Sequence, residues 1–507
     1  MHLQPSKSNL LLTAKPWFIA TLAISLFFLV PIPASASHKP NIVFILADDL
    51  GYMDIGANNP KTFYETPNIN RLAAQGMRFT DGYAACPVCS PTRASILTGK
   101  YPARLHLTDY IGGNRTGKLL PADYLDHLPL EEVTLPETLK EGGYITGIFG
   151  KWHLGTNTFL PETQGFDVNV GGSGAGHPSS YFSPYHNPKL PDGPKGEYLN
   201  DRLTEAALQF IDANKKQPFF LYLAHYAVHT PLQAKKELIE KYERKAAALP
   251  PLNGPRVLPE GEQQARQVQD HPVYAAMVQS LDESVGRILN KLDELAITKN
   301  TIVIFFSDNG GLSTTEGMPT SNVPLRAGKG WLYEGGVREP LLITWPGKIK
   351  PGTACSTPVI STDFYPTILA MAGMRALPQQ HCDGLNLLPL LKGGKPPSRN
   401  ALFWHYPHYG NQGGQPCCAV RAGDWKLIRF FEDNHSELYN LKEDLSEKHD
   451  LLSQMPGKAQ ELNALLNEFL QNTRAAIPKP NPHYKPPPRK QPSQEPRPSR
   501  QSIKSTV

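Results

Sequence analysis

The chain has 507 residues, 40% hydrophobic and 19% charged, which is ordinary globular material with length for a large core and for more than one domain. Its formal net charge of +5 sits at its ends: residues 475–507 carry +6 and the first 36 residues +2, leaving −3 on the body, so nothing points to a nucleic-acid binder. Six cysteines in a chain this long exclude a disulfide scaffold, though one or two bridges remain open.

In chain order, Lys7 and Lys15 precede an apolar run from Trp17 to Val30, followed by Pro31-Ile-Pro-Ala-Ser-Ala36. Basic flank, short apolar core and A-x-A site read as a secretory signal peptide over residues 1–36, the alternative being an uncleaved anchor. The run is short for a membrane span and no later one is longer. The expectation is an exported protein, periplasmic or extracellular, with no stable membrane insertion once the leader is cut.

Asn41–Leu46, Tyr144–Phe149, Phe219–Ala224, Thr301–Phe306 and Pro340–Trp345 are apolar runs bounded by turn residues, the pattern of strands buried on both faces. Helical spacing falls between them, at 68–75, 203–213 and from Val273, where Met277, Leu281, Val285, Ile288, Leu292 and Leu295 form one stripe. The alternation predicts an α/β fold with a large mixed, mainly parallel central sheet flanked by helices. From about residue 400 the pattern changes to short strands around 419–431 and 436–440 and a helix near 458–470. That predicts a smaller C-terminal α+β subdomain, a short antiparallel sheet plus a helix. The expected divisions are a leader at 1–36, a catalytic domain at 37–399, the subdomain at 400–474 and a tail at 475–507. The tail has nine prolines, is basic and nearly free of apolar residues, and is expected to be disordered.

The chemistry gathers at predicted strand ends, where open parallel sheets bind ligands. Asp48 and Asp49 follow the first strand, and Asp308 and Asn309 follow the strand from Thr301. If those strands are parallel neighbours, three carboxylates and an amide converge, and they repel unless a cation sits among them. An all-oxygen set favours Ca²⁺, with Mg²⁺ second, over zinc. Each pair taken alone also reads as turn and N-cap chemistry. Pro91–Leu97 reads as a helix start, placing Cys89 at an N-terminus that favours anions, with Arg93 one turn on. A cysteine there is an activated thiolate or something derived from it. The C-x-x-C spacing leaves a Cys86–Cys89 disulfide, and a thiol oxidoreductase, open.

Cys89-Ser-Pro-Thr-Arg-Ala-Ser-Ile-Leu-Thr-Gly99 resembles the signature of type I, formylglycine-dependent sulfatases, arylsulfatase-like members of the alkaline phosphatase superfamily. The resemblance extends in order through A-D-D-L-G-Y at 47–52, G-K-W-H-L-G at 150–155, V-H-T-P at 228–231, S-D-N-G at 307–310, R-A-G-K-G at 326–330 and E-G-G-V-R-E-P at 334–340. It implies that a formylglycine-generating (sulfatase-maturating) enzyme oxidises Cys89 to formylglycine (3-oxoalanine), whose hydrated gem-diol attacks sulfur. It implies one Ca²⁺ on Asp48, Asp49, Asp308 and Asn309, also touching the group at position 89. Arg93 and Lys151 would stabilise the diol and developing charge, and Lys151 is also carried over as a substrate contact. His229 and Lys329 would contact the sulfate and protonate the leaving alcohol, and His153 would take a proton so that sulfate is expelled. Cys86 lies outside the signature. Such chemistry needs cations at the nonbridging oxygens, an acid at the alkoxide and a nucleophile with a second hydroxyl.

The stretch Phe403–Gly414, rich in aromatics, His and Gly, suggests a sugar-stacking loop with His405 and His408 as substrate contacts, or else a packed aromatic loop. With export, it makes a sulfated carbohydrate or polysaccharide the expected substrate. The rivals are a phosphate or phosphonate monoester hydrolase of the same superfold and a non-catalytic sulfated-glycan-binding protein.

Overall fold

A computed structural model describes residues 39–486. The expected signal peptide and the tail beyond 486 lie outside the described residues. Among these no helix is long and apolar enough to cross a membrane.

Eight strands form the main sheet, in the order Thr353–Cys355, Met77–Phe79, Leu341–Thr344, Thr301–Ser307, Asn41–Ala47, Phe219–Ala224, Ile145–Gly150, Val168–Val170. The five strands from Thr301–Ser307 to Val168–Val170 are parallel; Leu341–Thr344 runs antiparallel to both its neighbours. Strand Asn41–Ala47 is wholly buried because both faces are covered. Val43 and Ile45 pack with Leu203, Phe210, Leu281 and Ile288 of helices Leu199–Asn214 and Pro272–Glu294. Ile42, Phe44 and Leu46 face the opposite core with Ile96, Leu97, Phe364 and Ile368 of helices Cys89–Thr98 and Phe364–Met371. Period-2 alternation thus survives as two apolar faces, which is why the run reads as continuous.

A four-stranded antiparallel sheet follows, in the order Leu402–Tyr406, Cys417–Ala422, Trp425–Phe430, Ser436–Asn440, with helix Pro456–Asn472 on it. Its core is shared with the main body: Tyr83, Val88 and Trp331 pack in one cluster with Trp404, Cys418 and Leu466. The α/β class with a small C-terminal antiparallel sheet is as expected.

Two readings are corrected. The aromatic stretch from Phe403 begins as a strand, not a loop, through Tyr406. The start of the tail is ordered: Lys479–Pro480 pairs antiparallel with Leu119–Leu120, and the Asn481 N–H donates to the Lys118 carbonyl at 2.8 Å. An exposed strand edge gives a proline-rich segment the backbone partners that its own side chains do not supply.

Candidate active site

Parallel register sets Ala47 beside Ser307, so Asp48–Asp49 and Asp308–Asn309 emerge side by side from the strand ends, all four fully buried. Asp49 has φ 63°, a strained left-handed conformation that lets its N–H reach Asp308 Oδ1 at 3.3 Å. Asn309 Nδ2 donates to Asp49 Oδ1 at 2.8 Å. The Lys329 loop is pressed against this edge through glycine. A Cβ on Gly310 would lie 1.9 Å from the Gly335 carbonyl oxygen, so the D-N-G-G and E-G-G turns meet backbone to backbone.

Three cations match the three carboxylates. Arg93 Nε donates to Asp308 Oδ2 at 2.8 Å and its Nη1 to the Lys151 carbonyl at 3.1 Å. Lys151 Nζ donates to Asp48 Oδ2 at 2.7 Å, and Lys329 Nζ to Asp49 Oδ2 at 2.9 Å. Burial opposes the charges on Arg93 and Lys329, and the facing carboxylates overcome it, so both are held protonated. Burial also pushes the Asp49 and Asp308 carboxyls up, and each has a neighbouring carboxylate adding to the stress.

These residues fit a hard divalent cation. Asp48 Oδ1 and Asn309 Oδ1 are buried oxygens with no hydrogen-bond partner among the described residues. Ligand atoms of Asp48, Asp49 and His229 lie within 4.8 Å of one another. Such a charge would relieve the strain on the carboxyls.

Cys89 opens helix Cys89–Thr98, and its Sγ lies 3.3 Å from His153 Nδ1. His153 Nε2 donates to the Ile111 carbonyl at 3.3 Å, which leaves Nδ1 as the lone pair facing Cys89. Burial and then Lys151 push the His153 imidazole well below its usual range, so it is neutral. His229 Nδ1 donates to the Thr230 carbonyl at 2.9 Å, and its Nε2 lies 3.6 Å from Asp49 Oδ2. Burial, then Lys329, depress its pKa as well. Burial raises the Cys89 thiol, against the pull of Lys151 and Lys329, so the unmodified sulfur is a poor thiolate. Cys86 Sγ points instead to the Thr108 carbonyl, and all six cysteines are free.

Cys89, His153, His229 and Lys329 line one cavity of about 500 Å³. Asp48, Asp49, Asp308, Asn309, Arg93 and Lys151 are buried alongside. The structure therefore brings all of the residues proposed for catalysis and metal binding to one sheet edge. It does not bring His405 and His408 there. His405 is a strand residue whose Nε2 donates to the Ala476 carbonyl at 2.8 Å, and His408 Nε2 lies 2.8 Å from Thr108 Oγ1. Both are nearly inaccessible, and burial pushes them down to about 4 and about 3. Asn411 and Gln412, further along the same stretch, line the cavity instead, with Tyr110, His177, Thr230 and Glu316. Asn411 and Gln412 belong to the Phe403–Gly414 stretch and Thr230 to the V-H-T-P motif, though none was singled out as a contact; Tyr110, His177 and Glu316, in loops without periodicity, were passed over. The Glu316-Gly317 and Gln412-Gly-Gly turns were the available signal.

Fold and site together define a hydrolase of the α/β class with a site built for an anionic ester. Comparison with known proteins agrees. The Sulfatase family model matches residues 40–374, and the model for the N-sulphoglucosamine sulphohydrolase C-terminal region matches residues 327–476. A sulfatase of Formosa agariphila is 34% identical, over 83% of this chain and 86% of its own length. Human arylsulfatase A is 33% identical over 86% and 88%. The crystal structure of Ps i-CgsB in complex with k-i-k-neocarrahexaose is 32% identical and superposes with a TM-score of 0.71, over 86% of this chain and 93% of that one. The chain belongs to the sulfatase family and is a sulfuric ester hydrolase.

Proposed function

We propose that the protein, after export, hydrolyses sulfate esters of a carbohydrate, with Cys89 oxidised to formylglycine by a maturating enzyme and one Ca²⁺ on Asp48, Asp49, Asp308 and Asn309. The observation that carries this reading is the placement of Cys89. It stands at a helix start, 3.3 Å from a neutral histidine, on the floor of a cavity backed by the buried acidic set. Hydrated formylglycine supplies a nucleophilic hydroxyl and a second one, and Ca²⁺ supplies charge at the sulfate oxygens.

The chain's own residues do the rest. Three carboxylates and three cations cancel at the site, so a bound divalent ion leaves net positive charge for an anionic ester. Arg93 and Lys151 fix the carboxylates, and the Arg93 bond to the Lys151 carbonyl locks helix Cys89–Thr98 to the loop after strand Ile145–Gly150. The lone pair of His153 Nδ1 faces position 89 and can accept a proton from it. Lys329 stays protonated and, with His229, reaches the cavity where the leaving alcohol departs. The carbohydrate reading is supported by the neocarrahexaose in the Ps i-CgsB complex and by a cavity within the range of small-ligand sites.

The test is mass spectrometry of the Phe79–Arg93 peptide from the natively processed protein, with hydrazide trapping. An aldehyde at position 89 and a mature N-terminus at Ser37 are expected. Side-by-side turnover of sulfate and phosphate esters, with and without chelator, should show calcium-dependent sulfate release. An unmodified thiol in fully active protein, or a preference for phosphate esters, would overturn the reading.

A further inference from the structure

Among the described residues that line the cavity, Glu316 is the one carboxylate and Lys329 the one Lys or Arg. Glu316 is held in place. Its φ is 53°, in the left-handed region where a residue with a Cβ is strained, and the Met318 N–H donates to the Thr315 carbonyl at 2.9 Å to close the turn. The side-chain amides of Asn411 and Gln412 both donate to Glu316 Oε1, Gln412 at 2.7 Å. The Gln412 carbonyl in turn accepts from Thr314 Oγ1 at 2.8 Å and from Trp331 Nε1 at 3.0 Å, so the two loops brace each other. Both amides fall on one oxygen of the carboxylate, and among the described residues the other accepts no hydrogen bond.

An ionised carboxylate only accepts hydrogen bonds. It rewards a donor such as a sugar hydroxyl, and it repels a second sulfate or carboxylate brought to the same wall. We propose that Glu316 is a specificity-determining residue: it accepts a hydrogen bond from a hydroxyl of the sugar that carries the scissile sulfate, and so selects rings bearing one sulfate and no further anionic group. This inference rests on the sulfatase reading above and narrows its substrate class to neutral, singly sulfated sugar rings.

The test uses the mature, modified enzyme and three probes: 4-nitrophenyl sulfate, neutral hexoses monosulfated at each ring hydroxyl in turn, and the same hexoses carrying a second sulfate. Wild-type enzyme is expected to process at least one monosulfated hexose with a kcat/KM ten-fold or more above that of its disulfated counterpart. This comparison needs no variant. Glu316→Gln keeps an oxygen for the two amides but removes the charge. It is expected to raise KM for the preferred monosulfated sugar at least ten-fold with a much smaller change in kcat, and to bring the disulfated ring within about three-fold of it. A carboxylate that merely braced the Asn411–Gln412 loop would shift all three probes together. The proposal is overturned if wild type prefers disulfated rings, if it cleaves the aryl sulfate but none of the monosulfated hexoses, or if Glu316→Gln leaves the sugar-to-aryl ratio of kcat/KM unchanged. In each of those cases the sulfatase reading stands. Absence of sulfate release from every probe, by protein shown to carry formylglycine, overturns this proposal together with the small-sugar substrate it assumes, while membership of the sulfatase family stands.

Discussion

Arg93 is 1% exposed, yet it spends its guanidinium on two carboxylates and a carbonyl rather than on substrate-facing space. Its removal leaves Asp308 buried without its main partner, and breaking a buried pair costs about 3–5 kcal/mol. Arg93→Ala is therefore expected to lower the urea midpoint by that equivalent as well as to abolish turnover; a variant that loses activity at wild-type stability would confine Arg93 to the chemistry. Asp109 behaves differently. It lies two residues before Ile111, whose carbonyl accepts from His153, and burial pushes its carboxyl up to about 7 despite hydrogen bonds from the Tyr110 N–H and Tyr406 hydroxyl. A carboxyl raised above its unfolded value contributes stability that is full below about pH 4 and lost as pH climbs through 7, at no more than about 1.4 kcal/mol per pH unit. Asp109→Asn should flatten that stretch of the stability–pH curve. Equal slopes for the variant and wild type between pH 4 and 7 would show that Asp109 is not held protonated in the fold.

Helix Cys89–Thr98 shows what a sequence does and does not disclose about such placement. Every residue in it is buried, so it has no amphipathic stripe, and its start was legible only through Pro91 and the motif around it. The long helix Pro272–Glu294 was legible from periodicity, because Met277, Leu281, Val285, Ile288 and Leu292 are buried along one stripe while Glu283, Arg287, Asn290 and Glu294 stay more open. Strands Asn41–Ala47, Phe219–Ala224 and Thr301–Ser307 were legible as apolar runs, and their adjacency put the four metal-ligand candidates together as anticipated. Three-residue strands such as Val168–Val170 and Thr353–Cys355 were not, since three residues hold no pattern to read. His405 and His408 misled for a related reason: residue type does not tell a buried strand histidine from a ligand contact, and only the fold shows which way the chain turns. The helix ends at Gly99, with φ 69°, where a Cβ would lie 2.4 Å from His381 Cβ. Left-handed strain plus that clash gives an expected cost of about 2–4 kcal/mol for Gly99→Ala. Because Cys89 rides on the same helix, turnover should fall more steeply than stability alone requires. A variant as stable as wild type would mean that His381 yields freely and that the helix end is not fixed by packing.

The C-terminal sheet and the catalytic body are joined by charge as well as by apolar packing. Lys426, on strand Trp425–Phe430, is fully buried and donates to Glu334 Oε1 at 2.8 Å while lying 2.9 Å from Glu447 Oε1. Glu447 Oε2 accepts the Glu334 N–H at 2.6 Å, and Glu334 Oε2 accepts from Arg338 Nε at 2.7 Å and from the Tyr83 hydroxyl at 2.8 Å. Against the penalty of burial, Lys426 and then Arg338 hold Glu334 well below the usual carboxylate range. Burial takes Glu447 the other way, up to about 7, despite Lys426. One ammonium thus serves two carboxyls, one from each part of the molecule, directly behind the glycines that press on Gly310 and the acidic edge. Lys426→Met leaves both carboxyls buried with that ammonium gone, at an expected cost of about 3–5 kcal/mol. The loss should depend on pH in a definite direction. Without Lys426 the Glu334 carboxyl loses part of what depresses it and Glu447 moves further above its already raised value, so the Glu447 share of the deficit is small near pH 5, where that carboxyl is protonated either way, and grows as pH rises through about 7 to 8. Urea unfolding of Lys426→Met and of Lys426→Met/Glu447→Gln at both ends of that range separates charge from packing. The double variant should recover part of the loss at pH 8 and little at pH 5. A deficit of the same size at both pH values, with no recovery, would mean that Lys426 joins the two sheets through its alkyl chain alone.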